Sequence, residues 1–267
     1  MTGAAALRHW REALMEAAGL GLFMVVAGLC GTLLEAPASP LRGALGDPLL
    51  RRALMGLAMG ATAVALIYSP WGRRSGAHLN PAVTWTFWRL GKVERADALL
   101  YPLAQLAGGL VGVLLVAAGA GEPFRRPPVD WVATRPGPWG AGAAFAAEVA
   151  ISALMMGVVL WVSNRERWRR YTGLAAGALV ALYITFEAPM SGMSLNPART
   201  LASAIPAGDF SALWVYLSAP LLGMLLAAEL HLRLPVCGPV ICAKLHHDDS
   251  SPCPFRCGYC RHESETA

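Results

Sequence analysis

The sequence predicts an all-α membrane protein: six transmembrane helices plus two re-entrant half-helices, arranged as an inverted repeat. Three observations lead there. Hydrophobic residues make up 55% of the 267 and charged residues only 15%, whereas soluble domains carry about 25% charge. Six apolar stretches approach or exceed the length of about 18 residues that a membrane-crossing helix needs. One polar, helix-breaking phrase is written twice, as SGAHLNPAV at 75–83 and SGMSLNPAR at 191–199.

The six stretches are residues 13–34, 53–69, 98–120, 140–162, 173–186 and 212–234. The first starts too far into the chain, and is followed by too many like it, to be a cleaved signal peptide. No polar stripe repeats at helical spacing, as the surface helices of a soluble protein would require. The mean hydropathy is +0.46.

The halves match in order. Met15-Glu16-Ala17 in the first stretch answers Ala147-Glu148-Val149 in the fourth. Gly56 and Gly60 in the second answer Gly173 and Gly177 in the fifth, and Tyr101, Ala104 and Gly108 in the third answer Tyr216, Ala219 and Gly223 in the sixth. Three spans per half is an odd number, so the second half sits upside down relative to the first. Such repeats place a functional site near the membrane midplane. The division is an N-terminus at 1–11, a first repeat at 12–120, a connecting loop at 121–139, a second repeat at 140–234 and a Cys/His-rich tail at 235–267.

Net charge is +5, and its distribution is informative. Basic residues in short loops favour the cytoplasm. Arg8 and Arg11, Arg73, Arg74, Arg89 and Lys92, and Arg165, Arg167, Arg169 and Arg170 all fall on one side, with both termini. The other side also carries Arg42, Arg51, Arg52, Arg125, Arg126 and Arg135, partly offset by acids. The lipid bilayer accounts for this basic balance, and no nucleic-acid partner is expected.

Each Asn-Pro-Ala reads as a helix start. Asn is a favoured cap, and Pro, which has no N–H, suits the first turn. The phrases Asn80-Pro81-Ala82 and Asn196-Pro197-Ala198 lead into half-helices 82–90 and 198–205, too short to cross about 30 Å at 1.5 Å per residue. The irregular backbone before each is tolerated at membrane depth only inside protein or along a watery cavity. Two half-helices meeting by their N-termini bring partial positive charge to the centre. A hydrated cation would be repelled there, while a neutral hydroxyl-bearing molecule would find carbonyls along the walls and the Asn80 and Asn196 amides at the centre.

These motifs, with Glu16, Glu148, Gln105 and Arg199, resemble the aquaporin and glycerol-facilitator family, the major intrinsic proteins, in a bacterial-type member. The resemblance covers about residues 10 to 235. It implies a passive channel for water or small neutral solutes that excludes ions and protons, not an enzyme. It further implies a homotetramer in the inner (plasma) membrane with both termini in the cytoplasm. Glu16 and Glu148 would hold the two motif loops, and His78 would face the cytoplasmic vestibule. The narrowest point would use Arg199, Met193, a fifth-helix residue that is Ile184 or else Thr185, and a second-helix residue that is Met59 or Gly60. Water-selective members have His in the fifth helix and an aromatic in the second; this chain has neither. Glycerol facilitators follow the Arg with Asp; here Thr200 follows. A filter of Met, Ile and one Arg is less polar than a water filter, so a glycerol-like solute, urea or a hydroxylated metalloid is expected beside water. Glu187, just before the second motif, could pair with Arg199, bond loop backbone or face the vestibule.

Five of the six cysteines follow the last stretch. Cys253, Cys257 and Cys260, with His246 nearby, suit zinc or an iron–sulfur cluster; an unstructured tail with reduced thiols is the other reading. No cofactor is expected in the membrane part. The competing functional class is a coupled secondary transporter, which also uses broken helices and inverted repeats but needs an ion-coordinating or titratable site at the midplane.

Overall fold

A computed structural model describes residues 8–248 and 252–259. The long helices are α1 (Trp10–Glu35), α2 (Pro48–Tyr68), α4 (Arg95–Ala120), α5 (Gly140–Ser163), α6 (Thr172–Phe186) and α8 (Leu213–Arg233), and the half-helices are α3 (Pro81–Arg89) and α7 (Pro197–Ala207). No strand occurs among the described residues. Five of the long helices have the length and composition to cross a membrane. The exception is α6, with 15 residues, about 22 Å of helix. The 3-10 turn Arg169–Tyr171 before it and the helical turn Ala188–Ser191 after it carry the chain through the remaining depth.

Helix ends overrun the apolar stretches. The first stretch begins at Ala13, yet α1 starts at Trp10, and α2 starts at Pro48 and includes Arg51 and Arg52. Asp47 caps α2 by accepting the Leu49 N–H at 2.8 Å. Hydropathy reads where the lipid stops, while the helix continues into the polar interface until a cap or a Pro ends it.

The repeat is visible in the packing. The three most extensive helix contacts are α1 with α4, α5 with α8, and α2 with α6. The first two are the same pair in each half, and the third joins the halves. A Cβ on Gly108 of α4 would lie 1.9 Å from the Ala17 carbonyl oxygen of α1, and one on Gly223 of α8 would lie 2.3 Å from that of Val149 of α5. Across the halves, Gly60 and Gly177 abut each other's carbonyls. Small residues let membrane helices approach this closely.

Outer faces are leucine-rich, with Leu22, Leu57, Leu103, Leu154, Leu182 and Leu226 exposed. Exposed Trp10, Trp71, Trp88, Trp161 and Trp168 lie at one end of the bundle, and Trp139, Phe210 and Trp214 at the other. These are two aromatic belts of the kind that mark the membrane interfaces.

Candidate functional site: a cavity between two inverted loops

Two fully buried carboxylates shape the centre. Glu16 accepts hydrogen bonds from the Ser75 hydroxyl at 2.7 Å, the His78 N–H at 3.0 Å, the Leu79 N–H at 2.5 Å and the Gln105 amide at 2.8 Å. Glu148 accepts from the Ser191 hydroxyl at 2.9 Å, the Ser194 N–H at 2.6 Å and the Leu195 N–H at 2.8 Å. Tyr101 donates to the Ser75 carbonyl at 2.9 Å, and Tyr216 to the Ser191 carbonyl at 2.6 Å. A loop at membrane depth must satisfy its N–H groups internally, and a buried carboxylate is tolerated when hydrogen-bonded in this way. Both acids therefore hold loops, Glu16 through four accepted hydrogen bonds and Glu148 through three.

The bonds hold an unusual backbone. Gly76, Ala77 and Leu79 have positive φ of 101°, 54° and 50°, and Gly192, Met193 and Leu195 have 83°, 49° and 57°. Such values are uncommon for residues other than Gly and persist where surroundings enforce them. The alternation sets the run-up to each half-helix.

Asn80 and Asn196 start the half-helices. The Asn80 side-chain oxygen accepts from the Ala82 N–H at 2.8 Å; that of Asn196 accepts from Ala198 at 3.0 Å and Arg199 at 3.2 Å. Each amide nitrogen then donates to the opposite loop: Asn80 to the Leu195 carbonyl and Asn196 to the Leu79 carbonyl, both at 2.7 Å. Sequence reasoning missed this exchange. It ties the half-helices N-terminus to N-terminus and fixes each amide's orientation. An amide has two N–H groups, so one is spent across the loops and the second is left for the cavity that both asparagines line.

That cavity has a volume of about 440 Å³. It begins beside Glu35, Arg51 and Arg52, passes Met193, Arg199 and both asparagines, and reaches His78 and Leu245. Ile184 lines it and Thr185 does not; the Thr185 hydroxyl donates to the Ala181 carbonyl at 2.7 Å within α6. Met59 lines it, whereas Gly60 lies against α6. The assignment of Gly60 to the filter is thus corrected: that position faces a helix contact, where a Cβ would sit 2.5 Å from the Gly177 carbonyl oxygen. The Arg199 guanidinium donates to the Thr134 hydroxyl of the connecting loop, a partner without any motif to announce it.

Of the three readings for Glu187, pairing with Arg199 and a place along the cavity are set aside. It forms no ion pair with Arg199 and does not line the cavity. It ends α6 and precedes the Ala188–Ser191 turn, while Arg199 is engaged by Thr134.

The described part of the tail, residues 235–248 and 252–259, packs on the bundle. Ile241 N–H donates to Asn164 at 2.5 Å, Arg256 N–H to the Lys92 carbonyl at 2.9 Å, and Tyr259 hydroxyl to the Ser163 carbonyl at 2.9 Å. His78 is covered by it: its Nε2 lies 2.9 Å from the Ala243 carbonyl, and its ring stacks between Phe87 and Phe255 at 5.4 and 5.0 Å. Cys253 and Cys257 come together, as the spacing suggested, but with Cys242 and His247. His246 instead packs edge-on against Tyr68 at 4.8 Å. Cys260 lies outside the described residues.

The chain is similar in sequence and fold to known proteins. A family model described as Major intrinsic protein matches residues 4–231. The chain is 32% identical over 212 residues to "Probable aquaporin NIP7-1" of Arabidopsis thaliana, covering 78% of this chain and 71% of that one. It is 29% identical over 213 residues to "Aquaporin Z" of Photorhabdus laumondii, covering 76% and 89%. It spans between 56% and 71% of the length of the plant relatives. The X-ray structure of the aquaglyceroporin from Plasmodium falciparum shares the fold, with a TM-score of 0.67 and 23% identity over 86% of this chain and 98% of that chain.

Proposed function

The chain belongs to the major intrinsic protein family, and from that premise we propose which molecules its cavity admits. The protein is a passive membrane channel for water and small neutral solutes. One observation carries the finer reading. Both Asn-Pro-Ala loops line the cavity together with Met59, Ile184, Met193 and Arg199, and we read these four as its narrow part. Three flexible or aliphatic side chains give no fixed donor or acceptor, so a hydroxylated molecule larger than water meets little penalty. Arg199, held by Thr134 behind it, supplies the polar edge that orients it. Water, a glycerol-like polyol, urea and a neutral metalloid hydroxide fit that chemistry.

Ions are turned away by position and charge. A cation must shed water in an apolar constriction, then pass Arg199 and the N-termini of α3 and α7, each worth about half a positive charge. An anion meets the same desolvation with few donors to replace its shell. A proton cannot run along a water file whose central molecule is held by the two amides as an acceptor. Neither buried glutamate offers an ion-coupling site, because both serve the loops.

The basic loops support an inner (plasma) membrane orientation with both termini in the cytoplasm. Membership of the family is the ground for proposing a homotetramer, each subunit with its own pore. Reconstitution into liposomes, with shrinkage followed by stopped-flow light scattering, tests the reading. Fast water flux followed by glycerol or urea entry without an ion gradient is expected. Water flux with no solute entry would confine the channel to water. Flux that saturates and follows a proton or sodium gradient would replace it with a coupled transporter.

A further inference from the structure

We propose that Cys242, His247, Cys253 and Cys257 form a zinc site, and that the metal folds the C-terminal segment into a cap that shuts the mouth of the pore on the side of the termini. The closing of the mouth rests on the channel reading above; the metal site does not.

The ligand geometry comes first. Cys242 Sγ lies 3.6 Å from His247 Nδ1 and 3.6 Å from Cys253 Sγ, and Cys257 Sγ lies 3.8 Å from His247 Nδ1. All four ligand atoms fall within 4.8 Å of one another. Tetrahedral zinc, with Zn–S of about 2.3 Å and Zn–N of about 2.0 Å, gives edges of about 3.6–3.8 Å. Ligands of an iron–sulfur cluster sit on different irons and would stand further apart. Three sulfurs and one imidazole around one centre select zinc among common divalent ions. The sequence spacing is Cys-x4-His-x5-Cys-x3-Cys.

The surroundings orient the ligands. The Lys244 N–H points at Cys242 Sγ from 3.4 Å, a donor that suits a metal-bound thiolate. The His247 ring stacks on Tyr259 at 4.9 Å, and the Tyr259 hydroxyl is fixed to the Ser163 carbonyl. The Lys244 ammonium, itself buried, donates to the Pro252 carbonyl at 3.0 Å and so clips the two ligand-bearing stretches together. On the cytoplasmic side proposed for the termini, thiols stay reduced.

The same stretches carry the cap. Ala243, Lys244 and Leu245 lie between the ligands Cys242 and His247, and Phe255 lies between Cys253 and Cys257. The Leu245 N–H donates to the Gly76 carbonyl of the first motif loop at 3.1 Å, and Leu245 lines the end of the cavity. Phe255 lies flat on His78, their planes 3° apart. Among its described residues the segment has almost no helix. Its ordering rests on single hydrogen bonds and stacked rings, and a structural metal site adds folding free energy directly.

The test uses the full chain, purified and analysed for metal by mass spectrometry, then reconstituted for stopped-flow water permeability. One zinc per chain is expected, lost in the Cys253→Ser/Cys257→Ser double variant, with cobalt giving the absorption of a tetrahedral thiolate site. Removing zinc with a chelator should raise water permeability several-fold, and adding back Zn2+ should lower it. Phe255→Ala and Leu245→Ala should keep zinc and conduct in its presence. Absence of zinc, iron with labile sulfide in its place, or zinc that survives loss of the cysteines overturns the site. Zinc bound with permeability unchanged on its removal overturns the cap. Flux in none of these forms removes the cap together with the channel reading, while the zinc count still decides the site by itself.

Discussion

At the scale of single residues, Glu148 and Ile184 make opposite kinds of contribution. Glu148 never meets the permeant; it gathers one hydroxyl and two backbone N–H groups. Glu148→Gln replaces one acceptor oxygen by a donor and leaves a buried loop N–H facing it. The expected cost is about 1–3 kcal/mol, read as easier unfolding in mixed micelles, with permeability falling in parallel. Ile184 contributes through size and the absence of polarity. Ile184→His should narrow the wall opposite Arg199, cutting glycerol and urea entry on the order of tenfold while water persists. Solute flux equal to wild type would remove Ile184 from the constriction. The sequence made both residues visible by different means: the glutamate because an acid in an apolar helix demands an explanation, the isoleucine only by counting from the motif.

Between elements, the contrast of Met59 with Gly60 shows what one residue of helix rotation does. Neighbours on a helix lie about 100° apart, so one faces the cavity while the next meets α6. Gly60→Ala puts a methyl 2.5 Å from the Gly177 carbonyl oxygen and should destabilise by about 1–3 kcal/mol through overpacking. Met59→Ala should widen the solute range, measured as faster entry of larger polyols, and, because the side chain is buried, should also cost about 2–5 kcal/mol of stability. Equal effects of the two substitutions on flux would contradict this division of faces. The half-helices show the same dependence on neighbours. Their starts were legible from Asn and Pro, but the Asn80–Leu195 and Asn196–Leu79 exchange joins residues over a hundred positions apart.

For the molecule as a whole, the outer surface is held by charge as well as by lipid. Arg135 of the connecting loop bonds Asp209, just past α7, at 2.5 Å and also pairs with Asp130. The hydrogen bond from Arg135, followed by those from Ser211, holds the Asp209 carboxyl down to about 2, against about 3.9 in an unfolded chain. A depressed carboxylate stabilises the folded form above the unfolded value, and the stabilisation fades as pH falls from about 4 to about 2. The pair is solvent-exposed, so after screening its worth is about 1 kcal/mol or less. Asp209→Asn should therefore lower thermal stability slightly at neutral pH and converge with wild type near pH 2, as followed by thermal unfolding across that range. A constant difference at all pH values would show that the bond, and not the charge, carries the effect.

The six spans, the inversion of the halves, the two half-helix starts and the two loop-holding glutamates are legible along the chain. Each of these is written in local chemistry: apolar length, an odd number of spans, a capping Asn before Pro, an acid where lipid should be. It took the packed fold to show which face of α2 looks into the cavity, that Arg199 bonds Thr134, and that His247 joins Cys242, Cys253 and Cys257 while His246 packs on Tyr68. Those outcomes depend on helix rotation and on contacts between segments far apart in the chain, which neither periodicity nor spacing encodes. The tail carries the same lesson: its cysteine count announced a cluster, but its place over His78 follows from packing across both halves of the repeat.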